Sequence, residues 1–277
     1  MFESIFLGAL QGLTEFLPIS STAHLRIAGE FFPGVQDPGA RFTAITQIGT
    51  EIAVLLYFRT DIKRIILAWF RKNIGRKPVD QAQSADSRLG SLIIIGSLPI
   101  VFLGLIGQNY IEDTFRSLWL IAIVLIIFSV VLGLTDRYGK IEKKVADLNV
   151  KHGLLYGFAQ ALALVPGVSR SGATIAMGRY LGYGREAALR YSFLLAMPAV
   201  FGSGAFQLYK ALKDSGQPSV FTLSETFFAT GIAFVVGYLV IAWLLKFVTT
   251  KSFMPFIIYR ILLGSTLIVL LSSGVIN

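Results

Sequence analysis

Long apolar stretches recur along the chain and indicate its fold class. Six of them lie at 42–58, 88–107, 117–135, 189–211, 223–247 and 254–274. Each is close to the length of about 20 residues that a helix needs to cross a membrane. The segments between them are too short and too apolar for a soluble domain. The pattern therefore predicts an all-α integral membrane protein with six transmembrane helices in a single membrane domain, 1–277.

Two further apolar regions, 1–30 and 152–184, are interrupted where a membrane helix should continue. The first reads LQGLTEFLPISSTAHL at 10–25 and the second reads AQALALVPGVSRSGAT at 159–174. Gln11 matches Gln160, and Pro18 matches Pro166 when one gap is allowed, which indicates an internal repeat. We expect each region to form a re-entrant helical hairpin. Two kinked transmembrane helices are the simpler alternative, because membrane helices tolerate proline and glycine.

The repeat divides the chain into two halves of similar layout. The first half, 1–150, would contain the hairpin at 1–30 and the first three spans, and the second half, 151–277, the hairpin at 152–184 and the last three. Three crossings are an odd number, so the second half would be inverted in the membrane relative to the first. Inverted-topology repeats bring broken helices together near the middle of the bilayer.

Charge and composition narrow the function classes. The chain is 54% hydrophobic and 15% charged, with a net charge of +9. The basic residues concentrate in the loops 59–77 and 137–151, as expected for cytoplasmic loops and unlike a nucleic-acid surface. The chain has no cysteine, which excludes thiolate metal sites, and it lacks a Walker loop and an HExxH motif.

A carboxylate and an amide precede the first break. Gln11 and Glu15 are four residues apart and therefore share a face of a helix that Pro18 should end. A charged group at membrane depth is costly and usually marks function. The alternative is a Glu15 that is neutralised or reaches the membrane surface.

Hydroxyls and a histidine follow the same break. Ser20, Ser21 and Thr22 are typical N-cap residues of a second helical arm. His24 lies three residues beyond Ser21, a spacing that allows a nucleophile and its base to share one face. The alternative for His24 is a purely structural role.

The second break has the composition of an anion site. A helix that begins there presents free N–H groups and the positive end of its dipole, and Arg170 adds a planar fork suited to phosphate. A buried ion pair between Arg170 and Glu15 is the structural alternative, and it is compatible with a site from which substrate displaces the pair. The residues expected to contact the anion with Arg170 are Ser169, Ser171, Gly172 and Thr174.

The stretches QGLTEFLPISSTAH at 11–24 and PGVSRSGAT at 166–174 resemble the motifs of the undecaprenyl-diphosphate phosphatase family of bacterial membranes, which is associated with bacitracin resistance. The resemblance implies six crossings, two re-entrant hairpins and a multi-pass protein of the bacterial plasma (inner) membrane. It also implies that the terminal phosphate is removed from undecaprenyl diphosphate, so that the lipid carrier is recycled for peptidoglycan and other envelope polymers. The site would open to the outer, periplasmic face.

The resemblance also implies roles for individual residues. By matching position, the catalytic residues would be Glu15, Ser21, His24 and Arg170, and the substrate-binding residues Gln11, Ser20, Thr22, Ser169, Ser171, Gly172 and Thr174. In one mechanism Ser21, activated by His24 or Glu15, attacks the terminal phosphorus. In the other, His24 is the nucleophile and Glu15 acts as base or acid, and the sequence leaves both open.

Cofactor, partners and a rival function complete the expectations. A Mg²⁺ or Ca²⁺ ion bridging Glu15 and the diphosphate is expected as the cofactor, with no organic cofactor. Gln11 stands where many family members have glutamate, so this chain offers no second carboxylate at that position to bind the ion. The partners would be the polyprenyl diphosphate and membrane lipids, without nucleic acid, and a homodimer is left open. The rival function is a secondary transporter or lipid-carrier flippase, because inverted repeats with broken helices are the architecture of secondary transport.

Overall fold

The structure is a computed structural model that describes residues 1–32, 37–107, 117–140, 143–213 and 220–276. In these residues the chain forms eleven α-helices and no β-strand, apart from one isolated bridge between Lys143 and Tyr183. The helices are α1 (Phe2–Thr14), α2 (Ser21–Glu30), α3 (Gly39–Tyr57), α4 (Arg59–Asn73), α5 (Gln81–Ile106), α6 (Leu118–Tyr138), α7 (Val150–Ala161), α8 (Arg170–Tyr180), α9 (Arg185–Lys213), α10 (Leu223–Val248) and α11 (Met254–Ser272).

Five helices of the described chain are long and apolar enough to cross a membrane: α5, α6, α9, α10 and α11. They overlap five of the six predicted spans, to within two residues at the ends where a span extends beyond its helix, and the protein is a multi-pass integral membrane protein. The remaining predicted span, 42–58, falls in α3, which is 19 residues long but is not among the five. Thr46, Gln47, Thr50 and Glu51 lower the hydropathy of α3 in its middle.

Both predicted breaks lie between helices. α1 ends at Thr14, and α2 begins after Ser20, whose side chain accepts a hydrogen bond from the backbone N–H of Ala23 at 3.4 Å. α7 ends at Ala161, and α8 begins after Ser169, which accepts from the N–H of Gly172 at 3.1 Å.

The two capping serines share an unusual backbone conformation. Ser20 has a φ of 73° and Ser169 a φ of 68°, in a region that residues other than glycine rarely adopt. Such strain persists only where the surrounding structure enforces it, and it concentrates at functional sites. The same strained cap therefore occurs at both breaks.

The first arm of each broken helix packs on a long helix of the other half of the chain. α1 contacts α10, and α7 contacts α5. Glycines make this close approach possible. A Cβ on Gly12 would lie 2.6 Å from the carbonyl oxygen of Ala233, and a Cβ on Gly157 would lie 2.3 Å from the carbonyl oxygen of Gly96. Small residues at such contacts are typical of helix packing in membranes.

A buried carboxylate fastens the helices at the end of the molecule away from the breaks. Asp136, near the end of α6, accepts hydrogen bonds from Arg179 of α8 at 3.2 Å and from Arg185 of α9 at 2.7 Å. It also accepts one from the backbone N–H of Phe253, just before α11, at 3.2 Å. Four helices are therefore held in register by one side chain.

Candidate active site

Arg260 joins the two breaks. This fully buried side chain of α11 donates to the carbonyl oxygen of Pro18 at 2.9 Å and to those of Gly167 and Val168 at 2.9 and 3.2 Å. The hydroxyl of Ser171 makes a second link, donating to the carbonyl oxygen of Leu17 at 3.1 Å. These bonds place the N-termini of α2 and α8 side by side, so their dipoles favour an anion at the same place.

Glu15 is the centre of a hydrogen-bond network between the breaks. Its Oε2 accepts from Gln11 Nε2 and from Ser21 Oγ, both at 2.6 Å. Gln47 Nε2 of α3 approaches the same oxygen at 3.5 Å. The carboxylate that precedes the first break is therefore bonded to the hydroxyl that follows it.

Arg170 pairs with two carboxylates. Its Nη2 contacts Glu15 Oε1 and lies 3.2 Å from Glu51 Oε1. The pairing of Arg170 with Glu15, which the sequence offered as the structural alternative to an anion site, is present. The side chain of Arg170 is 16% exposed, against 3% for Glu15 and none for Glu51, so the guanidinium is the part of this cluster most open to a ligand.

His24 has partners other than Ser21. Its Nδ1 lies 2.8 Å from the carbonyl oxygen of Ser20 and its Nε2 lies 2.7 Å from the hydroxyl of Tyr259 on α11. A carbonyl oxygen only accepts, so in a neutral ring Nδ1 donates and Nε2 accepts from Tyr259. The expected hydrogen bond between Ser21 and His24 is not formed, because Ser21 donates to Glu15 and both nitrogens of His24 are engaged elsewhere.

A cavity of about 490 Å³ opens beside these groups. Both polar and apolar side chains line it. The polar side chains include Glu15, Ser20, Ser21, Thr22, Gln47, Ser169 and Arg170. The apolar side chains include Ile100, Val101, Leu105, Ile121, Leu164 and Phe206. The cavity therefore offers both polar and apolar contacts, as the binding of an amphiphilic ligand requires.

Comparison with known proteins identifies the family. The sequence model of the bacitracin resistance protein BacA family matches residues 4–266. The chain belongs to the BacA family. It is 57% identical over 275 residues to an undecaprenyl-diphosphatase of Micrococcus luteus, covering 99% of this chain and 98% of that protein. It is also 56% identical over 275 residues to one of Paenarthrobacter aurescens, with 99% and 98% covered, and 58% identical over 275 residues to undecaprenyl-diphosphatase 2 of Agrobacterium fabrum, with 99% and 97% covered. The relatives carry the name of a hydrolase, which does not favour the transporter alternative.

Not every predicted site residue of this BacA-family chain lines the cavity. Gln11 lies behind Glu15, and His24 faces Tyr259. Thr174 donates back to the carbonyl oxygen of Arg170 at 2.8 Å. These side chains, together with Ser171 and Gly172 at the contact between the breaks, support the groups that do line it: Glu15, Ser20, Ser21, Thr22, Ser169 and Arg170.

Three further residues belong to the site. Tyr259 holds His24, Arg260 holds both breaks, and Glu51 shares Arg170 with Glu15. Glu51 is a carboxylate in a predicted span, which is itself a sequence signal of function. Arg260 gives the same signal in the last span, whereas a tyrosine in an apolar helix gives none.

The network has oxygen atoms to offer a hard cation. Gln11 Oε1 and Glu51 Oε2 are buried and have no hydrogen-bond partner in the described part of the chain. Mg²⁺ and Ca²⁺ prefer oxygen ligands, so these two atoms are of the kind that such an ion binds, whereas both oxygens of Glu15 already have partners. Among all the residues that the structure describes, no cluster of three or more His, Cys, Asp or Glu side chains has metal-binding geometry. The Mg²⁺ or Ca²⁺ expectation stays a prediction.

Proposed function

We propose that this chain removes the terminal phosphate of undecaprenyl diphosphate, as the names of its relatives indicate. The product, undecaprenyl phosphate, returns to the synthesis of peptidoglycan and other envelope polymers, and this recycling confers bacitracin resistance. One observation carries the proposal: the hydroxyl of Ser21 donates to Glu15 beside Arg170, in a cavity that apolar side chains also line.

The polar and apolar side chains that line the cavity match the two parts of the substrate. The diphosphate lies against the N-termini of α2 and α8 and the guanidinium of Arg170, which suits bidentate phosphate binding. The isoprenoid chain lies along the apolar side chains of α5 and α9, including Val101 and Phe206. An amphiphile with an anionic head therefore fits this cavity better than a small soluble phosphate ester does.

Ser21 is the nucleophile of the reaction we propose. Its Oγ attacks the terminal phosphorus, its proton passes to Glu15 Oε2 at 2.6 Å, and the bond from that phosphorus to the bridging oxygen breaks. Undecaprenyl phosphate leaves, and water then hydrolyses the phosphoserine and regenerates Ser21. His24 is the weaker candidate, since both of its ring nitrogens have hydrogen-bond partners.

Arg170 couples binding to activation. The incoming phosphate takes Arg170 from Glu15, so the carboxylate that receives the proton of Ser21 is no longer paired with a cation. Phosphate ester hydrolysis is among the slowest uncatalysed reactions, with enzymes accelerating it up to about 10²¹-fold, so charge stabilisation must supply much of the rate. Arg170 and the two helix N-termini supply that stabilisation. A Mg²⁺ or Ca²⁺ ion held by Glu51 and Gln11 would add positive charge near the site and leave Glu15 free to accept the proton.

We place the chain in the membrane as two inverted halves. α3 is the sixth crossing, and α1–α2 and α7–α8 are re-entrant hairpins. The matching strained caps at Ser20 and Ser169 support this arrangement. The packing of α1 on α10 and of α7 on α5 also supports it, because each first arm contacts a helix of the other half of the chain. The basic loops 59–77 and 137–151 then lie in the cytoplasm, and the site opens to the outer face of the inner membrane.

Phosphate release from undecaprenyl diphosphate by the purified protein tests the proposal. We expect Ser21→Ala to lower kcat by at least about 10³-fold, because removing a nucleophile leaves only binding and charge stabilisation. Ser203→Ala is the matched control: it removes another hydroxyl that lines the same cavity but donates to the carbonyl oxygen of Val200. Parent activity in Ser21→Ala, or no release by the well-folded parent protein, would refute the proposal.

A further inference from the structure

A second cavity, of about 470 Å³, lies at the basic end of the molecule. It is enclosed by α4, α5, the start of α9 and the turn at Val145–Asp147. Four basic side chains line it: Arg64, Arg88, Lys144 and Arg190. The proposed phosphatase reaction uses none of these residues.

The acidic side chains of this cavity leave part of its positive charge unpaired. Asp61 pairs with Arg190 and, at 3.3 Å, with Arg64, which also binds Asp86 at 2.6 Å. Arg88 donates to the carbonyl oxygen of Ala146, which carries no charge.

In the part of the chain that the structure describes, neither Arg88 nor Lys144 lies within salt-bridge distance of a carboxylate. Glu186 is the remaining acidic side chain in the cavity lining, so an anion entering the cavity meets a net positive site.

The helix beside this cavity is placed at the level of lipid head groups. α4 packs on the start of α5, where Trp69 Nε1 donates to Ser91 Oγ and Asn73 Nδ2 to Ser87 Oγ, both at 3.0 Å. The apolar part of α5, 89–106, contains no charged residue and begins at this contact. α4 therefore lies where the hydrocarbon region of the membrane ends.

α4 has the composition of a helix that lies on an anionic membrane surface. Ile66, Leu67 and Phe70 are exposed along it, although α4, with 15 residues, is not one of the helices long and apolar enough to span a membrane. Its basic residues are Arg59, Lys63, Arg64, Arg71 and Lys72, against Asp61 as its one acidic residue. Apolar side chains beside lysine and arginine are the pattern of amphipathic helices that bind anionic lipids.

We propose that this end of the molecule binds an anionic phospholipid. The phosphate of its head group enters the cavity between Arg64, Arg88 and Lys144, and its acyl chains lie in the hydrocarbon region that begins at this level of the molecule. Basic pockets between membrane helices on the cytoplasmic side bind such head groups. The site is independent of the proposed catalytic function, since the two cavities share no lining residue.

Thermal unfolding of the full-length protein in neutral detergent tests this site, with phosphatidylglycerol or phosphatidylcholine added in increasing amounts. Phosphatidylglycerol should raise Tm in a saturable way, and phosphatidylcholine should not. In Arg88→Gln/Lys144→Gln the phosphatidylglycerol concentration for half the effect should rise about tenfold or more, because each such cation contributes to anionic lipid binding. The control Lys246→Gln/Lys251→Gln removes two exposed cations that do not line the cavity and should leave that concentration unchanged.

Three results would overturn the proposal. Equal effects of the two lipids would remove the preference for an anionic head group. An equal loss in both double variants would show general attraction to the surface rather than binding in the cavity. A rise in Tm of the same size with inorganic phosphate alone would show that the lipid is not required. Lys144→Gln, a change at an exposed side chain, gives the same test if the double variant does not fold.

Discussion

Gly172 is the position at which one added methyl group tests how closely the two breaks are held. A Cβ there would lie 3.0 Å from Arg260 Nη1 and 3.2 Å from both the Cβ and the Oγ of Ser169. Ser169 caps α8, and Arg260 binds carbonyl groups of both breaks. Gly172→Ala should therefore displace the cap and the arginine together.

The size of the effect follows from two opposing contributions. Alanine stabilises a helix interior by about 1 kcal/mol over glycine, whereas overpacking a filled site costs about 1–3 kcal/mol. We expect Gly172→Ala to destabilise the protein by about 1 kcal/mol. We expect a larger effect on the reaction, about tenfold or more in kcat, because a displacement of about 1 Å at an active site can cost 10²-fold.

Gly231→Ala is the matched control. Gly231 lies in α10, and a Cβ there would have no atom within 4 Å. It should raise Tm slightly and leave phosphate release unchanged. Measuring kcat and Tm for both variants separates positioning from helix propensity. If Gly172→Ala has the same kcat as Gly231→Ala, then the contact of Arg260 and Ser169 with Gly172 does not position the site.

Three further predictions concern individual groups of the site. Glu15→Gln should lower kcat by about 10²–10⁴-fold, the usual contribution of a general base. The control Glu3→Gln, at a partly exposed position outside the cavity, should not lower kcat, and equal rates in the two variants would exclude Glu15 as the base. Tyr259→Phe removes the hydroxyl that faces His24 Nε2. It should lower kcat about two- to tenfold, which corresponds to the free energy of one hydrogen bond. An unchanged kcat would show that this hydrogen bond does not contribute to catalysis. Treatment with a chelator should lower phosphate release, because a bound ion would add to the charge stabilisation, and Mg²⁺ or Ca²⁺ should restore it. Full activity in the chelator would remove the metal from the mechanism.

Local chemistry made the breaks predictable from the sequence. A proline followed by serines inside an apolar run leaves few options, because the backbone must be capped where the helix stops. Ser20 and Ser169 do cap new helices. The pairing of Arg170 with Glu15 was predictable for a related reason, since a buried cation requires an anion nearby.

Contacts between distant parts of the chain were not predictable in the same way. The spacing of Ser21 and His24 favours a pair on one helix face, but α11 brings Tyr259 to His24 from 235 residues away, and the end of α1 brings Glu15 to Ser21. The sequence signals that Arg260 needs partners, but it does not signal that these are backbone carbonyl groups of both breaks.

Chemical trapping of the phosphorylated enzyme tests the central claim most directly. Undecaprenyl diphosphate labelled in its terminal phosphate is mixed with the purified protein, the reaction is stopped within its first turnovers, and the labelled peptide is identified by mass spectrometry. The mechanism predicts an acid-stable phosphoserine at Ser21, which is absent from Ser21→Ala and present in Ser203→Ala. An acid-labile phosphohistidine at His24, or rapid turnover with no covalent phosphate in any form, would contradict it.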